Sequence, residues 1–234
     1  MIHFVIPTYN RDAFINRCIK SIIDNVNSEF IGSIVVINQN KEPYNFANDA
    51  IVEIMYPPAG KAIYKPGVEA IRDKLSSEDI LCFLDDDIVI NSTFQNNFKR
   101  LSNKLLEEKT GCIQLSFGTC KIRDDFVPIQ YGFKGGGIAV QVKKYFDFDG
   151  HGDDYYDDIE LYIRAYIKGY QNYRCRFINS QHDLNKKLSG GIRGYFNDIL
   201  GIKRCGYKYS KLKETYKGWL LPANNFMGFR LKKR

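Results

Sequence analysis

Three short apolar runs, each stopped abruptly by a polar cluster, constrain what this chain can fold into. Residues 2–6 (IHFVI) end at Pro7 and the cluster Thr8–Arg11, and residues 34–37 (IVVI) end at Asn38–Lys41. Residues 80–84 (ILCFL) run straight into Asp85-Asp86-Asp87. Runs this short and this continuous suit strands buried on both faces, as in a parallel sheet covered by helices. The segments between them agree. Ile15, Ile19, Ile22, Ile23 and Val26 recur at helical spacing behind candidate caps Asn10 and Asp12. Residues 51–55 (IVEIM) read as a further strand, and Pro66 to Leu75 as a helix opened by proline. The order predicts an α/β fold with a single Rossmann-like, mostly parallel sheet flanked by helices. Ligands of such sheets sit beyond the carboxyl ends of the strands, where all three polar clusters fall.

Composition narrows the class. The 234 residues are 44% apolar and 26% charged, which excludes a disordered or fibrous chain. No stretch approaches the roughly 20 apolar residues of a membrane span, and the opening breaks too early for a signal peptide, so a cytoplasmic protein is expected. The six cysteines show neither a CxxC pair nor zinc spacing and read as reduced and mostly buried. Charge is uneven. Residues 185–234 hold 13 Lys/Arg against Asp198 and Glu214, a net +11 where the whole chain carries +7. That leaves a mildly acidic body, residues 1–184, and a basic extension, residues 185–234, interleaved with aromatics such as Tyr195 and Trp219. Such a segment suits a polyanion or an anionic membrane surface, or is simply a solvated basic tail.

Two acidic clusters carry the chemistry. Three carboxylates directly after a buried strand repel one another and lose hydration unless a cation compensates. A hard divalent ion, Mn²⁺ or Mg²⁺, does so with oxygen ligands and recruits substrate phosphates. On an extended chain Asp85 and Asp87 would share one side. The competing expectation is an acidic turn ahead of a helix begun near Asn91. Further on, Gly135-Gly136-Gly137 precedes another strand, IAVQV. In residues 152–170 (GDDYYDDIELYIRAYIKGY), Asp157 and Asp158 open a helix whose apolar face is Ile159, Ile163, Tyr166 and Tyr170. Glu160 and Arg164 form an i,i+4 pair, and Gly169 ends the element. His151, between Gly150 and Gly152, reads as a solvent-facing turn histidine ahead of one lining the acceptor side, and His3 as structural.

In order and spacing, FVIPTYNRDAFINRCIKSI, IVVINQN, FLDDDI, GGGIAV and DDIELYIRAYIKGY resemble a family 2-type glycosyltransferase with the GT-A fold, over about residues 2–185. Small stand-alone transferases of this fold occur in viruses. The resemblance implies that Pro7, Thr8, Asn10 and Arg11 meet a donor nucleotide, with Asn38 where the family usually has a base-reading Asp. It implies Lys61 and Lys65 near the diphosphate, and Asp85 and Asp86 at the nucleotide-sugar, with Asp87 as direct metal ligand. Asp158 matches the general base, Asp157 and Glu160 the acceptor side, and His182 the histidine that completes the metal shell. Inversion is expected, since no covalent nucleophile is evident. The acceptor stays open between a glycan or lipid-linked sugar, with residues 217–221 and the terminal RLKKR at a membrane, and a hydroxymethylated pyrimidine in DNA, with Trp219 or Tyr195 as wedge. A module that merely binds a sugar nucleotide is the remote third reading.

Overall fold

A computed structural model describes residues 1–57, 63–117, 124–129, 137–151, 157–182, 215–216, 218–222 and 229–231. The first half follows the apolar runs. Strands β1 (Ile2–Thr8), β2 (Ile31–Asn38), β3 (Ile51–Met55) and β4 (Ile80–Leu84) pair in parallel in the order β3-β2-β1-β4. Their continuous hydrophobicity is explained by alternation. Phe4, Ile6, Val36 and Cys82 enter the core on one face of the sheet, while Val5, Val35, Ile37 and Phe83 enter the core on the other.

Past β4 the sheet becomes mixed. It continues through β8 (Gly137–Gln141), β6 (Thr110–Phe117) and β9 (Gln171–His182). Strand β8 runs against both β4 and β6, and β9 runs parallel to β6, so six strands share one direction. Along its other edge β9 takes two short antiparallel partners, β7 (Phe126–Ile129) and β5 (Ile88–Ile90). A separate antiparallel pair, β10 (Leu220–Pro222) with β11 (Phe229–Leu231), lies in the basic extension.

Helices cover both faces. α1 (Asp12–Asn25) and α3 (Ser92–Leu106) fill one core with Ile15, Ile19, Ile22, Phe94, Leu101 and Leu105. The other core takes Val68 from α2 (Lys65–Ala70), Tyr145 from α4 (Val142–Asp147) and Leu161, Tyr162 and Ala165 from α5 (Asp157–Ile167). Tyr162 and Ala165 lie off the apolar stripe expected for α5, because the helix is buried on most sides rather than on one. Its end is as expected: Gly169, at φ 102°, turns the chain into β9. The helix expected from Pro66 to Leu75 stops early, giving way to a 3-10 turn at Arg72–Lys74. The caps expected for α1 do not form. Its N-cap is Arg11, without a side-chain cap bond, and Asn10 sits at φ 51°, a left-handed backbone that asparagine tolerates.

Cys18, Cys82, Cys112 and Cys175 are free and buried, as expected; Cys120 and Cys205 lie outside the described residues. Among the described residues no helix is long and apolar enough to cross a membrane. Helix α2 sits hard against the sheet at Gly67, where an added Cβ would lie 2.6 Å from Val5 Cγ1 and 2.9 Å from Ile37 Cδ1. Gly67→Ala is therefore expected to cost about 1–3 kcal/mol of stability by overpacking, read as a lowered urea midpoint at unchanged slope.

Candidate functional site

The acidic triplet forms a turn at the end of β4, closed by the Ile88 N–H donating to the Asp85 carbonyl at 3.2 Å. It does not cap α3. Asn91 does that, accepting from the Thr93 N–H, and β5 intervenes. The backbone turns here rather than running on extended, and Asp85 and Asp87 bond to different donors. Tyr64 Oη donates to Asp85 Oδ1 at 3.0 Å. Asp86 points inward and is 2% exposed, accepting from Thr8 Oγ1 at 2.9 Å and from Arg11 Nη1 at 2.6 Å. Arg11 Nη2 donates to Asp87 Oδ2 at 3.0 Å. Burial pushes the Asp86 carboxyl up to about 7, with Asp87 adding to the rise and Arg11 and Thr8 opposing it.

Two loops at neighbouring strand ends are tied together beside this turn. The Gln39 N–H donates to the Thr8 carbonyl, and the Asn10 N–H to Asn40 Oδ1 at 2.6 Å. Tyr44 Oη donates to Asp12 and accepts from Asn40. Burial, with Asp12 alongside, pushes the Tyr44 phenol up to about 12. Pro7 lies inside β1 opposite Ile37. Asn38 is fully buried, and its amide is spent on the protein: Nδ2 donates to the Glu42 carbonyl and to Glu53 Oε1 at 2.6 Å, while Oδ1 accepts from the Asn40 N–H. Glu53 also accepts from the Tyr44 and Asn45 N–H groups. An amide rather than a carboxylate at position 38 follows from this partner, since two carboxylates at that distance would repel.

From the chain's other half, His151 packs beside the same turn. His151 stands six residues before Asp157 and is buried, against the expectation of a solvent-facing turn. Its ring lies 4.3 Å from the Phe83 ring and 5.0 Å from the Tyr64 ring, centroid to centroid. Tyr64 in turn holds Asp85, so His151 packs against the residue that bonds the acidic turn. The aromatic cage explains the burial, and burial lowers the His151 pKa to about 3, with Arg164 adding to the fall. At the far edge, Ile88 of β5 is paired with His182 of β9, which brings the His182 backbone opposite the residue that follows Asp87. Asp157 and Asp158 open α5. The side chains of these three residues lie outside the described residues, as does all of Lys61; Lys65 opens α2.

Glu160 is placed differently from a free acceptor contact. It accepts from Arg164 Nη2 at 3.0 Å and from Tyr216 Oη at 2.6 Å, so the extension is bonded to α5 at this point. Tyr64, Glu53, Tyr44 and Tyr216 bond to the residues singled out above and carry no local signal in the sequence. His3 is structural as expected, bonded to Ser33 and Asp79.

Among the described residues no three His, Cys, Asp or Glu side chains converge into a ready-made metal cage. The donor set nonetheless fits a hard cation. Three carboxylates are gathered at one turn, Arg11 bridges Asp86 and Asp87, and the Asp87 side chain is 23% exposed. A hard divalent ion completes its shell with water and substrate oxygens rather than with protein alone.

Two outcomes follow from the cage and from the Asn38 network. The folded-state pKa of His151 lies below its ordinary value near 6.5, so its contribution to stability is present above that pH and lost as pH falls toward 3. Between about pH 6.5 and 5, unfolding free energy should fall by up to about 1.4 kcal/mol per pH unit from this group, and His151→Phe should remove that increment of slope in pH-dependent denaturation. Asn38→Asp should cost about 2–3 kcal/mol by setting a second carboxylate against Glu53, and adding Glu53→Gln should recover most of it in a double-mutant cycle.

No protein-family model matches the chain, and no curated protein matches it by sequence. Solved structures do match in fold. GalNAc-T7, solved with UDP, GalNAc and Mn²⁺, superposes with a TM-score of 0.59 at 12% identity over 78% of this chain and 43% of that one. The S. aureus TarS 1–349 structure gives 0.57 at 12% identity over 92% and 72%. The mannosyltransferase PcManGT from Pyrobaculum calidifontis, in complex with GDP-Man and Mn²⁺, gives 0.63 at 14% identity over 92% and 64%. The chain thus spans less than half of GalNAc-T7 and just under two thirds of PcManGT. Its sheet order, its flanking helices and the acidic turn at the end of β4 are set in the GT-A glycosyltransferase fold.

Proposed function

We propose that the chain is a metal-dependent glycosyltransferase of the family 2 type that moves a sugar from a nucleotide-sugar donor to an acceptor hydroxyl with inversion. The observation that carries the reading is the meeting, at one sheet end, of an acidic turn and a tied pair of loops, with His151 packed on the tyrosine that bonds the turn. The neighbours' complexes with UDP, GDP-Man, UDP-GlcNAc and Mn²⁺ support a donor of this class.

In this reading Asp87 and His182 hold Mn²⁺ or Mg²⁺, which when bound offsets the charge growing on the departing diphosphate. The β5–β9 register supports the pairing, since it ties the two backbones together. Thr8, Asn10 and Arg11 line the donor loop, and Asn38 shapes that loop through Glu42, Glu53 and Asn40. Lys61 and Lys65 serve the diphosphate, and Asp85 and Asp86 the nucleotide-sugar side of the turn. Asp158 takes the proton from the acceptor hydroxyl as that oxygen attacks the anomeric carbon opposite the leaving diphosphate. Asp157 orients the acceptor, while Glu160 secures α5 and the extension together.

The acceptor is a glycan or lipid-linked sugar. A hydroxymethylated pyrimidine in DNA is the second reading, favoured by the +11 carried by residues 185–234. Salt-sensitive binding of the full chain to duplex DNA, with none to anionic vesicles, would select the second; the reverse would select a membrane-borne acceptor.

A screen of nucleotide sugars with Mn²⁺, read as release of nucleoside diphosphate, tests the activity. Asp158→Asn is expected to lower kcat by about 100- to 10,000-fold with donor affinity retained. Asp87→Ala should abolish Mn²⁺-dependent donor binding in calorimetry. Near-normal turnover of Asp158→Asn would remove the base assignment.

A further inference from the structure

We propose that Arg11 is the resident counter-cation of the acidic turn and changes partner during binding: it holds Asp87 while the diphosphate is absent and turns to the diphosphate when metal and donor arrive. This rests on the reading of the site as a metal–diphosphate site.

The geometry separates a permanent partner from an exchangeable one. The contact with Asp86 is 2.6 Å between side chains 14% and 3% exposed; that with Asp87 is 3.0 Å, and Asp87 is 23% exposed. Asp86 has no route to solvent and keeps a second donor in Thr8 Oγ1, so the Arg11–Asp86 pair is the fixed half. A buried carboxylate deprived of its cation is costly, which keeps Arg11 anchored there. The Asp87 half is the longer and more solvent-exposed contact. A divalent ion on Asp87 adds two positive charges beside the guanidinium, and the two cations then compete for one carboxylate.

The arginine is placed to use the freed donors. Its backbone is fixed at the start of α1, where its carbonyl accepts from the Phe14 and Ile15 N–H groups. Its guanidinium lies 4.3 Å over the Phe14 ring, which holds the plane. Its Nε–H is buried without an acceptor. Release of Asp87 therefore leaves Nη2 and Nε, two donors on one edge of a planar fork, for an oxyanion. That edge matches a phosphate bidentately, as an ammonium would not. The exchange makes and breaks only hydrogen bonds.

The consequence is a coupling between metal and nucleotide that runs through the protein as well as through the ion. In the absence of nucleotide, Arg11 weakens metal binding by occupying Asp87. In its presence, Arg11 strengthens nucleotide binding.

The test measures free Mn²⁺ by electron paramagnetic resonance on the full chain, alone and with UDP or GDP, and nucleotide affinity by calorimetry at saturating Mn²⁺. Two variants are compared with wild type. Arg11→Lys keeps a cation for Asp86 but cannot span both carboxylates. Arg11→Gln combined with Asp86→Asn removes the buried pair together and leaves no stranded charge. Both are expected to bind Mn²⁺ alone on the order of tenfold more tightly, and the nucleoside diphosphate on the order of tenfold more weakly, the size of one charge-assisted hydrogen bond. Unchanged or weakened Mn²⁺ binding without nucleotide, or unchanged nucleotide affinity, in the folded variants overturns the proposal while the parent reading stands. A wild-type chain that takes up no Mn²⁺ with either nucleotide overturns both.

Discussion

Repulsion among Asp85, Asp86 and Asp87 is the constraint around which the rest of the molecule is arranged. Three adjacent carboxylates at the end of a fully buried strand would unfold that end if left unmatched. The chain meets the problem by turning, so that each carboxylate is directed to its own donor: Tyr64 for Asp85, Thr8 and Arg11 for Asp86, and the other arm of Arg11 for Asp87. The donors come from the ends of β1 and the start of α2, which is why the strand order β2-β1-β4 matters. Placing β1 beside β4 is what brings Thr8 and Arg11 within reach of the turn.

The tied loops follow from the same arrangement. Arg11, a donor-only side chain that cannot cap α1, is committed to the acidic turn, and Asn10 beside it sits in a left-handed backbone held by Asn40. Asn40 is held by Asn38, and Asn38 by Glu53 on β3. A chain of polar contacts therefore runs from β3 across the sheet end to β4, with every carboxylate in it answered by a donor. Such a network is favourable only while it is complete, since one missing partner leaves a buried polar group unsatisfied.

Much of the fold was legible because buried parallel strands have a plain signature: IHFVI, IVVI and ILCFL cannot satisfy one face only. The acidic turn was legible as well, since a run of carboxylates after such a strand demands an explanation. What escaped is what long-range partners decide. The donors of the acidic turn, Tyr64, Thr8 and Arg11, come from segments 21 to 78 positions away, which the run of carboxylates does not itself announce. The burial of His151 depended on Phe83, Tyr64 and Tyr145, aromatics from other elements that close over a Gly-flanked position which by itself reads as a surface turn. The near-total burial of α5 came from Leu161, Tyr162 and Ala165 being drawn into a second core, and from Tyr216 closing over Glu160. Helical spacing identifies a seam but not how many neighbours the helix acquires.

The pairing of β5 with the end of β9 joins residues more than 90 positions apart, Ile88 with His182. The four parallel strands and their helices are all encoded before this partner is synthesised. During translation the acidic turn, with its donors Tyr64, Thr8 and Arg11, is thus made well before the strand that pairs with β5. The sheet edge beside the acidic turn therefore closes late, once β9 is available to pair with β5.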